Sequence, residues 1–342
     1  MEKTLDLKQQ WEAFKVENPK LRIRDAASAL GTAEAALIAT TVGDTAIRLK
    51  EEFPEILQGV EALGKVMALT RNDNCVHERK GVYKKVTFRG SMGLAVNPDI
   101  DLRLFMSQWA SGFAVNENDR KSLQFFGKDG TAVHKIYLTA DSSEPAYEEL
   151  VAKYTAEDQK APLEFTAAKA PVAEISDAEV EVKNFQSAWL ALEDTHDFHG
   201  LLRTYSITRT QALRLAPEGY AFSITLDSLK AILHKASETD LQVMVFTGSA
   251  GCIQIHTGLV KKLVETGPWF NVLDPDFNLH LRMDAIASIW LVKKPTKDGV
   301  VTSIEVFDDK GEIIVQFFGK RKPGIPEDEN WRFIANELAV IS

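Results

Sequence analysis

Residues 66–81, VMALTRNDNCVHERKG, recur 177 positions later as residues 243–258, VMVFTGSAGCIQIHTG, and this repetition decides the fold. Over the whole of 66–113 and its counterpart 243–290, fifteen of 48 positions are identical without a gap. So many matches at one fixed offset are not expected by chance. The sequence therefore predicts a tandem duplication of one folding unit.

The later part of each repeat aligns at a slightly larger offset. At an offset of 181 positions, Ser122 matches Ser303 and Phe126 matches Phe307. Four additional residues must therefore lie in the second repeat between the two aligned regions. We place them near residues 293–296 and interpret them as an inserted loop.

The order of helical and extended segments is the same in both repeats. Helical patterns fill the first 60 residues, short apolar runs between turn residues cover 66–137, and a helix follows at 144–154. In the second repeat, helices begin at residue 178, extended runs cover 242–319, and a last helix lies near 328–338. Each repeat is therefore predicted to be an α+β unit.

The composition of residues 156–175 marks a boundary between the repeats. This stretch is rich in alanine, proline and lysine, and we interpret it as a linker. We therefore predict a first repeat half at 1–155, a linker at 156–175 and a second half at 176–342. Cys75 and Cys252 are equivalent positions of the two halves, so they are not expected to form a disulfide.

Charge and hydropathy exclude several classes of function. The net charge of −9 gives no general attraction to nucleic acid or to anionic lipid. The mean hydropathy of −0.15 is that of an ordinary globular protein. No apolar run approaches the roughly 18 residues of a membrane helix, and the N-terminus, MEKTLDLKQQWEAFK, has no hydrophobic signal core. We predict a cytoplasmic protein without membrane insertion. An anionic ligand then requires a local cluster of basic residues.

A candidate site lies in residues 176–216, SDAEVEVKNFQSAWLALEDTHDFHGLLRTYSITRTQALRLA, which contain two of the seven histidines. Ser176 with Glu179 has the spacing of a capping box that starts a helix, and Thr208 with Gln211 that of a later cap. Between them, spacings of four and three predict one common helical face. The residues of that face are Phe185, Trp189, Leu192, His196 and His199.

Within this segment, Asp194 is a candidate N-cap of a second helix. His196 then lies in a first turn, where the helix dipole disfavours an imidazolium ion. Neutral imidazole is the form that binds metals, so His196 is a candidate metal ligand. His196 and His199 have an HxxH spacing, which indicates a zinc site only where further zinc ligands lie nearby. A histidine on an apolar helical face is, by itself, more often structural.

Motifs for other activities are absent or incomplete. The chain contains no GxGxxG, GxxxxGK[ST], CxxC, HExxH or GxSxG. Residues 24–37, RDAASALGTAEAAL, have the spacing of a helix-turn-helix, which makes a transcription regulator an alternative. A recognition helix needs Arg or Lys, and the ten residues after Gly31 contain neither. We therefore interpret this segment as packing and expect no nucleic-acid partner.

With these features, the chain resembles the HemS/ChuS/PhuS family of cytoplasmic haem-utilisation proteins over nearly its whole length, duplication included. The stretches that carry the resemblance are DLRLFMSQWASGF (101–113), THDFHGLL (195–202), ITRTQAL (207–213), VMVFTGSAGCIQIHTG (243–258), FNLHL (277–281) and KKPTKDGVVTS (293–303). They come from both repeats in one order, which makes their combination specific.

The resemblance implies two similar halves, each with a large antiparallel sheet and helices, and a haem cleft between them. It implies that His196 is the axial ligand of the haem iron and that Arg103, on the opposite haem face, is the catalytic residue. The other implied haem contacts, cations for the propionates included, are Arg209, Lys294, Arg321, Gln316, Phe246 and Phe318. Family members carry a tyrosine at this last position, so its polar contact is missing here. Secondary haem contacts fall on His77 and His280.

The residue types suit haem, iron protoporphyrin IX, as a ligand. Haem is a flat apolar disc whose iron takes a neutral imidazole and whose two carboxylates need cations. Arg209, Lys294 and Arg321 supply a local positive field despite the acidic net charge. Arg103 keeps its proton, so it is a poor iron ligand but a good hydrogen-bond donor.

The function implied by the resemblance is haem binding in iron acquisition, after import. Such a protein either degrades haem oxidatively to release iron, as a haem oxygenase-like oxidoreductase, or delivers it to a separate haem oxygenase. A pure haem carrier without catalysis is the alternative. The expected partners are a haem importer and a reductase or downstream haem oxygenase, and the expected state is a monomer or homodimer. The chain shows no flavin or nicotinamide motif, so electrons for catalysis must come from outside.

Overall fold

The computed structural model describes residues 2–167, 172–322 and 324–338, and none of the helices in them is long and apolar enough to cross a membrane. The helices are α1 (Glu2–Glu17), α2 (Ile23–Ala29), α3 (Glu34–Ala39), α4 (Phe53–Gly59), α5 (Glu144–Tyr154), α6 (Val182–Leu190), α7 (Asp197–Tyr205), α8 (Arg209–Arg214), α9 (Leu226–Glu238) and α10 (Glu329–Leu338). The strands of the first repeat are β1 (Ala46–Arg48), β2 (Gly64–Arg71), β3 (Cys75–Val82), β4 (Thr87–Arg89), β5 (Met92–Val96), β6 (Asp101–Phe105), β7 (Trp109–Glu117), β8 (Arg120–Gly127) and β9 (Ala132–Ser142). Those of the second are β10 (Ala221–Ser223), β11 (Val243–Gly248), β12 (Cys252–Gly258), β13 (Leu263–Thr266), β14 (Trp269–Leu273), β15 (Phe277–Arg282), β16 (Ser288–Thr296), β17 (Gly299–Phe307) and β18 (Ile313–Gly319).

Both repeats build a large antiparallel sheet in the same way. In the first, five strands are hydrogen-bonded in the order β1-β7-β8-β9-β2, and β4, β5 and β6 form an antiparallel meander. In the second, the order is β10-β16-β17-β18-β11, with a meander of β13, β14 and β15. The registers agree, since Phe113 pairs with Gln124 and the equivalent Trp290 with Glu305. The predicted α+β duplication is confirmed.

The four additional residues of the second repeat lengthen a hairpin. The ladder of β7 and β8 ends at Glu117–Arg120, and the equivalent pair in β16 and β17 is Lys294–Val301. Two further pairs continue the second ladder to its turn: Pro295–Val300 and Thr296–Gly299. The prediction of an inserted loop is therefore wrong, because the added residues come in cross-strand pairs and satisfy each other's backbone groups.

The chain forms two compact units, and each contains a short segment from the other repeat. The first comprises 1–71, 78–168 and 248–254; the second comprises 72–77, 169–247 and 255–342. Part of the predicted linker is tied to the first unit, because Arg48 N donates to Gln159 Oε1 at 2.8 Å and Thr166 N to the Lys128 carbonyl at 2.8 Å. The boundaries at 155 and 176 stay predictions.

The short segments make matching contacts in the two units. In the first, Thr70 Oγ1 donates to Cys252 Sγ at 3.4 Å. In the second, Cys75 Sγ lies 3.6 Å from Thr247 Oγ1. Both cysteines are buried and free, which confirms that they do not pair with each other. Each unit therefore completes its core with a cysteine from the opposite repeat.

Each unit has one main core, between its sheet and two helices. In the first, α4 and α5 pack on the sheet through Phe53, Leu57, Trp109, Phe125 and Tyr147. In the second, α9 and α10 do so through Leu229, Leu233, Ile304, Phe317 and Trp331. Burying each of these large side chains contributes about 1.5–3 kcal/mol. The cores thus hold the sheets rigidly enough to position side chains on their other faces.

Two helical additions pack outside these cores. In the second unit, α6 and α7 join through Phe185, Trp189 and Phe198, with the rings of Trp189 and Phe198 4.7 Å apart. In the first unit, α2 and α3 bury Ala26, Ala27, Ala35 and Leu37. This confirms that the segment with helix-turn-helix spacing serves packing.

Candidate functional site

The loop that carries His196 divides the predicted histidine helix in two. α6 ends at Leu190 and α7 begins at Asp197, so His196 occupies the N-cap position of α7. The predicted common face is therefore wrong: Leu192 is buried, whereas the His196 side chain is 86% exposed. The break follows from Asp194, whose carboxylate accepts the backbone N–H of His196 at 2.8 Å and replaces a helical hydrogen bond.

The predicted caps on either side are present. Ser176 and Glu179 form a capping box, although it opens a single 3₁₀ turn, Asp177–Glu179, that precedes α6. Thr208 Oγ1 accepts the backbone N–H of Gln211 at 3.1 Å and caps α8. Both predictions succeed because a cap needs only residues that are close in the chain.

Asp194 also fixes the imidazole of His196. Its Oδ1 lies 2.6 Å from Nδ1, so we assign the proton to Nδ1 and the lone pair to Nε2. Hydrogen bonds from the backbone and side chain of His196 hold the pKa of the Asp194 carboxyl below its usual value, which keeps the acceptor ionised at neutral pH. A histidine that donates one nitrogen to a carboxylate and exposes the other has the arrangement of a metal ligand.

His199, one turn further along α7, has a different environment. Burial, and then the charges of Arg209 and Lys294, lower its pKa, so it is neutral at pH 7. Within the described ranges no three His, Cys, Asp or Glu side chains are grouped closely enough to hold a metal ion. The HxxH spacing therefore finds no companion zinc ligands in those ranges.

Two of the predicted cations, Arg209 and Lys294, meet in a buried ion cluster with Glu305. Arg209 donates Nε and Nη2 to the two carboxylate oxygens of Glu305 at 2.7 and 2.9 Å. Lys294 Nζ donates to Glu305 Oε1 at 2.6 Å, as does Ser303 Oγ at 3.0 Å. The side chains are 12% exposed for Arg209, 3% for Lys294 and 0% for Glu305. Two cations and one anion leave the cluster one net positive charge.

Burial and mutual pairing set the protonation of this cluster. Burial raises the pKa of the Glu305 carboxyl, but Arg209 and Lys294 together lower it further, to well below its usual range. Burial lowers the pKa of Lys294 to about 8, against the opposing effect of Glu305. Both cations also lie over the ring of Phe198, at 5.1 Å for Arg209 Cζ and 4.6 Å for Lys294 Nζ. The cluster is therefore ionised at neutral pH and stabilised by an aromatic face.

Beside the cluster, β11 and β18 present a half-buried apolar face. The rings of Phe246 and Phe318 lie 4.8 Å apart. Gln316 lies opposite Phe246 on β11 and opposite Glu305 on β17. The three predicted contacts on these strands are thus neighbours of one another and of the ion cluster. Phe318 supplies a ring at this face but no hydroxyl group.

Arg321 connects the end of β18 to the histidine loop. Its Nη2 donates to Thr195 Oγ1 at 3.1 Å, directly beside His196. Its charge also contributes to the lowered pKa of Asp194. One hydrogen bond therefore joins a predicted propionate partner, Arg321, to Thr195, the residue before the predicted ligand His196.

Arg103 lies in the meander of the first unit. Its guanidinium binds the carboxylate of Asp101 on the same strand, and it lies opposite Leu94 on β5. Burial raises the pKa of Asp101, and Arg103 opposes that rise. Exposed Met92, Leu94 and Val96 alternate along β5 on the face of Arg103. A fixed guanidinium thus stands beside exposed apolar side chains.

The two secondary haem positions differ in accessibility. His77 on β3 is fully buried, with its ring 5.0 Å from that of Phe277. His280 on β15 is half-buried, and its Nδ1 lies 2.7 Å from Asn271 Oδ1. A haem contact at His77 requires its side chain to become exposed, whereas His280 is already accessible in part. Both assignments stay predictions.

The sequence and the fold match known haem proteins over almost the whole chain. The model of the haemin-degrading HemS/ChuX domain matches residues 31–154 and again residues 206–338. The chain belongs to the HemS family. One match in each repeat also agrees with the duplication, and the predicted family is confirmed.

Individual members of the HemS family are similar end to end. Hemin transport protein HmuS of Yersinia pestis is 39% identical over 335 residues, which cover 95% of each chain. Apo-PhuS, a heme-binding protein from Pseudomonas aeruginosa, is 46% identical with a TM-score of 0.96, over 99% of this chain and 100% of its own. The heme-degrading enzyme ChuS of Escherichia coli O157:H7 is 35% identical with a TM-score of 0.92, over 98% and 100%.

Sequence reasoning missed three acidic partners in this HemS-family chain. Asp194 was recognisable only as a cap, Asp101 only as part of a motif, and Glu305 only by comparison of the two repeats. One signal for Glu305 was present, since the aligned position of the first repeat is Gln124. A charged residue in one copy and its neutral counterpart in the other marks a position that the shared packing does not explain.

Proposed function

We propose that this HemS-family protein binds haem, with His196 as the axial ligand of the iron, and handles it in iron acquisition in the cytoplasm. The observation that carries the proposal is the hydrogen bond between His196 Nδ1 and Asp194, which leaves Nε2 on an 86% exposed ring. Haem iron takes a neutral imidazole nitrogen, and its ligating histidines are oriented in this way. Similarity to proteins described as heme-binding and hemin transport proteins supports the ligand.

The rest of the second unit supplies groups for the porphyrin. Phe246 and Phe318 offer apolar contact, and Gln316 offers a polar group between them and the ion cluster. Arg209 and Lys294 provide net positive charge for one propionate, and Arg321 provides charge beside the histidine loop. A mostly apolar site with a few convergent cations is the expected surroundings of haem.

For the fate of the bound haem, we favour oxidative degradation, with Arg103 as the catalytic residue. A guanidinium already fixed by Asp101 is a preorganised donor for developing negative charge. Degradation needs electrons, so a reductase is the implied partner, and a haem importer is the implied source. The alternative is a carrier without catalysis, which the 39% identity to a hemin transport protein supports.

The binding proposal is tested by titrating the apo protein with haemin and following the Soret band. We expect one-to-one binding, and we expect His196→Ala to shift or broaden the band and to weaken binding. His199→Ala is the matched control, because it removes the histidine one turn further along the chain and is expected to change the band much less. If His199→Ala is the more damaging change, the ligand assignment is wrong. Some binding should survive in His196→Ala, since porphyrin burial contributes separately.

The fate of haem is tested on the purified complex with a reductant and air, in the presence of catalase. Catalase is needed because free peroxide destroys haem without an enzyme. Loss of the Soret band that requires the protein and releases iron supports degradation. A band that persists while haem passes to a haem oxygenase supports the carrier.

A further inference from the structure

Glu305 occupies a position where the two repeats differ in charge. The equivalent residue of the first repeat, Gln124, is buried in the same way and bonds to Ser122 Oγ at 3.0 Å. Glu305 accepts from the equivalent Ser303 Oγ, also at 3.0 Å. The same strand, register and serine thus accommodate an uncharged side chain. The fold does not require a carboxylate here, so its presence in the second unit calls for another reason.

The carboxylate of Glu305 organises two cations that come from separate elements. Arg209 is the first residue of α8, and Lys294 lies on β16. Without an anion between them, two buried cations would repel each other, and the lysine would lose its proton. The bidentate contact uses Nε and Nη2 of Arg209, so Nη1 lies on the edge of the guanidinium away from Glu305. That edge is the part of the cluster suited to a second carboxylate.

We propose that Glu305 is the positioning residue of the carboxylate-binding site, holding Arg209 and Lys294 in a preformed cluster whose single net charge matches one carboxylate of the ligand. This inference rests on the proposed haem function and specifies how one propionate is recognised. Lys294 acts through its charge, because it is 3% exposed, whereas Arg209 contacts the ligand.

The charge of the cluster should depend on pH through Lys294. The groups that face Glu305 are Lys294 from β16, Arg209 from α8, Gln316 from β18 and Ser303 on its own strand, with His199 of α7 near both cations. Lys294 has a pKa of about 8, and above that pH the cluster becomes neutral. Affinity for haemin should therefore fall as the pH rises through about 8. Haemin dimethyl ester, which lacks both carboxylates, should show no such fall.

Charge compensation separates this role from a purely structural one. Lys294→Met leaves Arg209 paired with Glu305 and makes the cluster neutral, so haemin affinity at neutral pH should fall about tenfold or more. Adding Glu305→Gln to that variant restores one net positive charge, and the amide oxygen still accepts a hydrogen bond from Arg209 and keeps it in place. Affinity should therefore return to within about threefold of wild type. Haemin dimethyl ester should bind all variants alike. The matched control is Glu34→Gln, which removes a buried carboxylate paired with Lys135 in the first unit and should leave haemin affinity unchanged.

The proposal would be overturned if the double variant bound haemin as weakly as Lys294→Met. It would also be overturned if the variants lost as much affinity for haemin dimethyl ester as for haemin. If the wild type binds no haemin at all, the proposed function fails, and the role of Glu305 is judged by the amine pKa of Lys294 measured by NMR. Glu305→Gln should lower that pKa by at least about one unit. An unchanged pKa would show that Glu305 does not hold the cluster together.

Discussion

A single hydrogen bond, from His196 Nδ1 to Asp194, determines which ring nitrogen is available to a metal. Asp194→Asn keeps the size of the acceptor but removes its charge, which lowers the basicity of Nε2 and loosens the ring. We expect haemin affinity to fall about 10- to 100-fold, the usual cost of losing such a partner. Asp284→Asn is the control, since that carboxylate is exposed and bonds to Arg282 in the same way. Unchanged affinity in Asp194→Asn would contradict the ligand assignment.

Arg103 is the residue that separates an enzyme from a carrier. If haem is degraded, negative charge develops in the transition state, and a fixed guanidinium stabilises it by about 2.7–4 kcal/mol. Arg103→Ala should then leave haemin binding within about tenfold of wild type and slow reductant-driven loss of the Soret band roughly a hundredfold or more. The measurement is the decay rate of the purified complex with catalase present.

Arg103→Lys is the informative companion variant. It keeps the charge but loses the planar fork, so it should recover little of the rate. Equal decay in wild type and Arg103→Ala would support the carrier, because bound haem would then not use this donor.

At the scale of elements, the short helix α8 places Arg209 through its cap. Thr208→Ala removes the acceptor for the Gln211 N–H, and we expect a loss of about 1 kcal/mol in the free energy of unfolding. Because Arg209 directly follows the cap, haemin affinity should also fall, about threefold. Ser143→Ala is the control, since Ser143 caps α5 of the first unit through the Ala146 N–H. It should cost similar stability in urea unfolding without changing haemin affinity; equal effects on binding would disprove a specific role for α8.

At the scale of the whole molecule, each unit depends on a segment of the other repeat. Residues 248–254 belong to the first unit, where the Gly251 carbonyl accepts from Trp109 Nε1 at 2.9 Å and Gln254 Nε2 donates to the Ala68 carbonyl at 3.0 Å. A fragment of residues 1–168 lacks these partners, and Trp109 would be left with an unpaired buried donor. We therefore expect the fragment to show no cooperative unfolding transition when its unfolding is monitored by circular dichroism.

Co-expression with residues 169–342 supplies the missing segment and should restore a cooperative transition. A fragment of residues 1–168 that folds alone with the stability of the full chain would show that the exchanged segment contributes little. The full-length protein with Trp109→Phe is the control for the single lost hydrogen bond.

The sequence by itself determined what depends on short distances along the chain or on comparison of its two copies. The duplication, the α+β class and the caps at Ser176 and Thr208 follow from repetition, periodicity and local hydrogen bonds. The motif of the HemS family added candidate residues, of which His196 and Arg321 proved to lie on linked segments. These features depend on neighbouring residues or on the comparison of the two repeats, so they can be predicted without knowledge of the fold.

Only the tertiary structure decided which charges meet. Arg209 and Glu305 are 96 residues apart, and Lys294 reaches Glu305 only because β16 and β17 form one hairpin. The exchange of residues 72–77 and 248–254 between the units likewise follows from packing over more than a hundred residues. A sequence pattern records which residues are charged, but the energy of a charge depends on its burial and on its partner. The burial of a charge and its partner are both defined only once the sheets have formed.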